Sequence, residues 1–404
     1  MTKQISAVEL LAPAGNLEKL KIAILYGANA VYIGGKKFSL RARASNFTLK
    51  DIQEGCRFAH RHQAKVYVTM NIIPHEEDFT GIKQYLKSLV KAKVDGIIVS
   101  SMMIAKISQE IAPNLERHIS TQLSSANSKA IEEYQNMGFS RVVLAREVLP
   151  EDMEKIIKNT HCELEVFIHG GMCVSYSGRC MLSNHLTNRD ANRGGCAHSC
   201  RWNYDLYRNN VLINEKPHFF NIGSKDLVGL QHVFRLISLG VKSLKIEGRM
   251  KSLYYIATVV RCYRLLIDEY ERTKGNASLV DWNFYLQEIA KAENRLSSTG
   301  FLGGKPTINE QLYNIQSEIP TKEFVGIVLK YDGRSKLATI EQRNYFEVGD
   351  QVEFFGPNLA NTKFEITMIF DENKEPLTVA RHPLQIIQIK VSFKLSPFDM
   401  MRKL

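Results

Sequence analysis

Strand-like and helix-like patterns alternate from the start of this 404-residue chain, which predicts an α/β protein built as a closed eight-stranded barrel. Three observations carry that expectation. Eight short apolar runs are separated by segments with apolar residues at helical spacing. A Gly or Gly pair often marks the join, as in LYGANAVYIGG, NMGFSRVVLAR and SLGVKSLKIEGR. From about Glu323 the pattern changes to short alternating strands, which predicts a separate small antiparallel β-barrel.

The strands are expected at Val8–Pro13, Ala30–Gly34, Lys65–Asn71, Gly96–Ser100, His118–Gln122, Arg141–Arg146, Glu163–His169 and Ser243–Gly248. Helices are expected between them, at Asn16–Tyr26, Leu49–His62, Thr80–Lys91 and Ser128–Met137. Parallel pairing of eight such units implies a TIM-like (β/α)8 barrel over residues 1–275. The seventh strand is followed by a long insert, residues 170–218, far longer than an ordinary strand-to-helix join. Residues 276–322 read as a helical linker, with a helix at Asp281–Ser297 and a turn-rich STGFLGGKP. Residues 323–404 form the small barrel, through EFVGIVLKYDG, KLATIEQ, FEVGDQVEFFGP, FEITMIFD and LQIIQIKVSF. VGDQVEFFGP resembles the second-domain barrel of translation factors, which implies RNA docking, a passive lid or an assembly surface.

Lys and Arg number 53 against 42 Asp and Glu, a formal net charge of +11. That excess points to a polyanionic partner, nucleic acid above all, or to a generally basic surface. No apolar run reaches the 18 or so residues needed to span a bilayer. The opening MTKQISAVELLAPAG lacks the charged start and apolar run of a secretory leader, so a cytoplasmic protein is expected.

Four of the seven cysteines, Cys173, Cys180, Cys196 and Cys200, fall in GGMCVSYSGRCMLSNHLTNRDANRGGCAHSC. A polar, Gly-rich stretch is no place for cysteines acting as small apolar fillers. A cytosolic setting argues against disulfides. Structural zinc favours close pairs, and only Cys196 and Cys200 fit that spacing. A 4Fe-4S cluster accepts wider spacing and is the favoured reading, with zinc, redox-active thiols or an empty site as the alternatives. Four thiolates around such a cluster leave a net negative charge, for which Arg179, Arg189, Arg193 and Arg201 are candidate partners. Cys56, Cys162 and Cys262 read as structural fillers.

The chemistry of such barrels sits where strands end, and candidates gather there. His169, Arg146, Glu247 and Arg249 are the candidate catalytic groups. Arg41, Arg43, Asn71 and Gln122 are candidates for substrate binding, the arginines through paired hydrogen bonds to a small anionic co-substrate. The competing readings are that Arg146 and Arg249 pair with Glu147 and Glu247 to brace loops, and that His169 is satisfied by backbone rather than acting as acid or base.

EVFIHGGMCVSYSGRCMLS resembles the signature of the collagenase-like peptidase family, number thirty-two among peptidases of unassigned mechanism. The match falls on Glu165, Phe167, Gly170, Cys173, Gly178, Cys180 and Ser183, with Gly171 standing where Ser or Ala is usual. It continues in ELLAPAGNLEKLKIAILYGANAVYIGG, NRGGCAHSCRW, SKDL, KIEGRMKS and STGF. Within the family, the chain is similar to the branch that helps convert the wobble uridine of certain tRNAs to 5-hydroxyuridine. That resemblance implies a 4Fe-4S cluster on Cys173, Cys180, Cys196 and Cys200, dependence on prephenate as source of the oxygen, tRNA as partner, and a paralogous family subunit as a further one. The small barrel and the basic surface would then hold RNA while the mouth of the large barrel takes a flipped base.

Two other classes stay in view. A peptidase needs an activated nucleophile or metal-bound water. No Gly-x-Ser-x-Gly elbow occurs, and His75-Glu76-Glu77-Asp78-Phe79 lacks the second histidine of a zinc-protease helix, which leaves only a Cys173–His169 pair. Alternatively the chain is a non-catalytic RNA-binding module whose cluster staples the long loop.

Overall fold

The computed structural model describes residues 8–40, 46–214, 219–292, 295–312 and 323–404. They fall into two compact units: Met1–Ile289 with Glu293–Ile319, and Ala290–Ala292 with Pro320–Leu404.

The first unit is the expected barrel. Its strands are β1 (Glu9–Pro13), β2 (Ala30–Gly34), β3 (Lys65–Met70), β4 (Gly96–Val99), β5 (Glu116–Ile119), β6 (Arg141–Val143) and β7 (Glu163–Gly170). β8 (Asp226–Val228) lies outside the barrel, and β9 (Ser243–Ile246) completes it. β1 to β7 pair in order and in parallel, and β9 bonds to both β7 and β1, which closes the cylinder. Every residue of β2 is buried, as required of a strand covered by side chains inside and helices outside.

Local chemistry sets the helices. The Asn16 side chain accepts from the Lys19 amide at 2.9 Å and starts Leu17–Leu25. Thr48 and Asp51 exchange side-chain bonds with each other's backbone and start Leu49–Arg61, which buries Ile52, Gly55, Cys56 and Ala59 on one stripe. Ser252 caps the longest helix, Leu253–Thr273.

Three expectations need correction. β5 starts at Glu116 rather than His118 and stops at Ile119, because the Ser120 side chain accepts from the Gln122 amide and turns Thr121–Leu123 into a 3-10 helix. The helix expected at Asp281–Ser297 ends at Ala290, and Ser297–Ser298 is instead a short strand paired with Asp226–Leu227. β8 has no counterpart in the sequence reading. It runs antiparallel to the end of β7, with Leu227 opposite Gly170 and Val228 opposite His169. The long excursion after β7 therefore returns onto the strand it left, and its stem is pinned by that pairing.

In the second unit an antiparallel sheet curls around its own core. Strand order is Thr362–Glu365, Gln351–Phe355, Met400–Lys403, Phe324–Asp332, Leu337–Gln342, Ile386–Lys390, Ile369–Phe370 and Pro376–Leu377. Val325, Ile340, Phe354, Ile387 and Met401 fill its interior. Arg402 is buried there, donates to Glu353 and lies over the Phe355 ring at 4.3 Å.

Candidate functional site

The lower interior of the large barrel is ionic. Arg141 at the start of β6 donates to Glu9 at 2.5 Å, to Glu163 at 2.8 Å and to Glu165 at 3.3 Å. Lys245 on β9 donates to the other oxygen of Glu165 at 2.7 Å. Burial alone would raise the Glu165 carboxyl, but Lys245 and Arg141 hold it below the usual carboxylate range. The Lys245 ammonium also lies 4.6 Å from the centre of the Tyr32 ring.

Beyond this layer, at the C-terminal ends of the strands, a cavity of about 430 Å³ opens. All four clustered cysteines line it: Cys173, Cys180, Cys196 and Cys200. None of the seven cysteines is in a disulfide. Burial pushes the Cys173 and Cys200 thiols up, and each also feels the other three thiols or two of them, so the four groups face one another. Among the described residues, no three of His, Cys, Asp or Glu are drawn tightly enough together to hold a single metal ion.

The loop reaches this shape through side chains that bond its own backbone. Ser183 donates to the Arg189 carbonyl at 2.7 Å and accepts from the Ala197 amide at 2.9 Å. Asn192 donates to the Cys180 carbonyl and Arg189 to the Cys196 carbonyl, at 3.0 and 2.9 Å. Gly178 has φ +76°, and a Cβ there would sit 2.1 Å from the Gln122 carbonyl oxygen, so glycine is required on both counts. Three of the four arginines expected to balance a cluster are used as braces. Arg179 bonds Ser124, Arg189 bonds Cys196, and Arg193 bonds Asp78 and the Ile73 carbonyl; only Arg201 lines the cavity.

Positive charge dominates the walls. Arg146, Arg201, Lys245, Arg249, Lys251 and Arg295 face two carboxylates, Asp226 and Glu247. Asp226 has Lys251 and Arg295 at 3.8 Å and Arg201 at 4.0 Å. The Arg146 guanidinium rests 3.7 Å from the centre of the Phe167 ring, and burial lowers its pKa while Glu247 and Cys173 act the other way.

Of the residues named from the sequence, Arg146, Glu247, Arg249, Asn71 and Gln122 line the same cavity as the cysteines. Arg249 donates to Ser39 at 2.8 Å, Thr69 at 3.3 Å and Asn46 at 2.7 Å. Asn71 accepts from the Leu40 amide at 3.3 Å. His169 is not among the lining residues. It is buried in the wall, with Nδ1 3.3 Å from the Tyr263 hydroxyl and rings of Tyr255 and Tyr263 against it. Burial drives its pKa down to about 3, so it is neutral near pH 7. Arg41 and Arg43 lie outside the described residues. Sequence reasoning did not single out Lys245, Lys251, Asp226 or Arg295; the first three stand inside the quoted KIEGRMKS and SKDL, the only signal available.

With this geometry in view, relatives can be placed beside it. The profile of peptidase family U32 matches residues 15–312, and that of the peptidase family U32 C-terminal domain matches residues 320–402. A protein of Bacillus subtilis named tRNA hydroxylation protein P1 is 48% identical over 98% of this chain and 94% of its own. A 23S rRNA 5-hydroxycytidine synthase of Escherichia coli is 35% identical over 76% of this chain and 47% of its own. A Porphyromonas gingivalis protein named collagenase is 30% identical over 98% of this chain and 97% of its own. The profile match over most of the chain, continued by its C-terminal partner, means that this protein belongs to peptidase family U32.

Proposed function

We propose that this chain is an RNA-modifying enzyme that hydroxylates the wobble uridine of tRNA to 5-hydroxyuridine, with a 4Fe-4S cluster on Cys173, Cys180, Cys196 and Cys200 and prephenate as anionic co-substrate. The observation that carries the reading is the union of four free thiols and an excess of cations around one cavity at the strand ends. The relatives named for tRNA hydroxylation and for rRNA hydroxycytidine synthesis supply the RNA and the type of reaction.

The donor set fits the cluster. Four thiols around one cavity offer the ligand number of such a cluster, and soft thiolates favour iron and sulfide. When bound, such a cluster supplies one-electron chemistry or an iron site able to polarise an oxygen. The protein's part is binding and orientation. Arg146, held flat by Phe167, presents a guanidinium to carboxylates of the co-substrate. Arg201, Lys251 and Arg295 offset the negative charge of the cluster and draw the RNA backbone toward the mouth. His169, neutral and packed against two tyrosines, positions the end of β7 rather than moving a proton.

A collagenase-like activity finds less support. The base considered for Cys173, His169, has its Nδ1 3.3 Å from the Tyr263 hydroxyl.

The test has two readouts. Protein purified without oxygen should carry about four iron and four sulfide per chain and absorb as a cluster, and Cys173→Ala should lose both. tRNA from cells lacking the protein should lose 5-hydroxyuridine and regain it with wild type but not with Cys173→Ala. A colourless, well-folded protein, or full hydroxylation by Cys173→Ala, refutes the assignment.

A further inference from the structure

A second, smaller cavity of about 230 Å³ adjoins the first, and Met172, Cys173 and Tyr176 line both. Its remaining wall comes from Glu147, Val174 and Ser175, from the Ser224–Lys225 segment and from residues between 298 and 311, Phe301 among them. That wall is fixed by backbone bonds: the Lys225 amide donates to the Glu310 carbonyl at 2.9 Å, and the Leu312 amide to the Gly223 carbonyl at 3.0 Å. The whole pocket belongs to the barrel unit.

Two lining residues carry a buried oxygen with no hydrogen-bond partner among the described residues: Glu147 Oε2 and Ser224 Oγ. The other Glu147 oxygen is already used, accepting from the Ser177 amide at 3.0 Å. A buried carboxylate oxygen and a buried hydroxyl left unpaired in a mostly apolar pocket are costly unless a ligand supplies their partners. That ligand must be small, since drug-sized ligands need cavities of about 300 Å³ or more. It must have a flat face for Tyr176 and Phe301 and a polar edge with at least one N–H for the carboxylate. A single pyrimidine ring meets each demand, and a purine nucleoside is too large.

We infer that this pocket receives the flipped uracil base of the RNA, with Glu147 accepting its imide N3–H, Ser224 bonding the same polar edge, and Tyr176 and Phe301 lying against the ring. This rests on the RNA-hydroxylase reading above and places the base beside Cys173, separate from the anion-binding walls around Arg146. Stacking is indifferent to sequence; the carboxylate is what selects a base with a donor at that edge.

The test uses the full chain prepared without oxygen and an anticodon stem-loop carrying uridine or N3-methyluridine at the wobble position, with binding followed by fluorescence anisotropy. Methylation removes the donor. Wild type should bind the methylated RNA about tenfold or more weakly, the loss expected for a hydrogen bond to a charged acceptor. Glu147→Gln keeps an oxygen for the Ser177 amide and should bind uridine more weakly and lose most of that discrimination. Ser224→Ala should weaken uridine binding severalfold. Equal affinity of wild type for both RNAs overturns the inference, as does undiminished discrimination in Glu147→Gln. If Glu147→Gln does not fold, the wild-type ratio and Ser224→Ala decide. Wild type that restores 5-hydroxyuridine in cells yet shows no discrimination overturns the pocket alone; wild type that neither binds nor restores it overturns both readings.

Discussion

Replacing Arg141 with methionine tests whether the ionic layer low in the barrel holds the fold. Arg141 and Glu165 are 4% and 0% exposed, so their charges are shielded from water. At 3.3 Å and an effective dielectric of about 20, their attraction is about 5 kcal/mol. The bond to Glu163 contributes less, since that side chain is 48% exposed. Glu165 keeps Lys245 at 2.7 Å after the substitution, which limits the loss. Breaking one arm of a buried ion network costs about 3–5 kcal/mol, because a charge stays behind without full compensation. For a unit of this size that lowers the urea midpoint by about 1 M or more. The effect has a pH signature. In wild type the Glu165 pKa is lowered, so its contribution is present above the unfolded pKa of about 4.3 and is lost as pH falls through the folded value. Without Arg141, burial pushes that carboxyl up, and protonation relieves the penalty. The gap between wild type and Arg141→Met should therefore narrow between pH 7 and pH 5, and Glu165→Gln should rescue part of it. A loss under 1 kcal/mol, or a gap that does not change with pH, refutes the reasoning.

Three further outcomes follow from the same geometry. Cys56 and Cys162 are buried, with thiols raised to about 12 and about 11, and Cys262 is buried too, whereas Cys173 is exposed and Cys180, Cys196 and Cys200 are partly exposed, so brief iodoacetamide treatment of metal-free protein at pH 7.5 should label the latter four ahead of the buried three, as read by peptide mass spectrometry. Gly178→Ala should cost about 1–2 kcal/mol for the left-handed backbone and more from the Gln122 carbonyl, and should show as lower iron content in a protein whose barrel still folds. His169 has a folded pKa of about 3 against an ordinary 6.5, so the unfolded chain binds its proton first and stability falls as pH drops from about 6.5 toward 3; His169→Gln should flatten that slope in urea unfolding curves by a few kcal/mol and leave no His169 limb in the pH profile of activity between 5 and 8.

What could be read from the sequence was what repeats or what is locally odd. Barrel strands such as Ala30–Gly34 stand out because five buried residues in a row leave an apolar run. The cysteine loop stands out because thiols crowd a polar, Gly-rich stretch. Asp226–Val228 and Ser297–Ser298 have two or three residues each, too few for any periodicity; their strand character comes from pairing with each other and, for the first, with β7. Glu116 and Arg117 hid the start of β5, because a strand opening on two charged residues reads as loop. The ionic layer was invisible for another reason. Glu9 and Arg141 each look like a solvated strand end, Glu165 stands out only as a position of the family signature, and only closure of the barrel brings residues 132 positions apart to 2.5 Å. The arginines of the cysteine loop have contacts that composition does not reveal: Arg189 reaches the Cys196 carbonyl, and Arg193 reaches the Ile73 carbonyl and Asp78.

That sorting of charge separates an ionic layer low in the barrel from the cations that line the cavity at the strand ends. Glu165 bonds Lys245 at 2.7 Å from below, so this ammonium is largely neutralised before it reaches the cavity. Two residues further along β7, Phe167 carries the Arg146 guanidinium on its ring face, a contact that fixes the cation without cancelling its charge. Asp226 stands 3.8–4.0 Å from Arg201, Lys251 and Arg295, beyond the 2.7–2.9 Å of a closed charge-assisted bond. Its Oδ1 is buried without a hydrogen bond. A carboxylate held at that range keeps the three cations gathered around one part of the wall. The pinned stem of the loop makes the arrangement rigid, because β8 carries Asp226 and pairs directly with the end of β7 from which the cysteines depart.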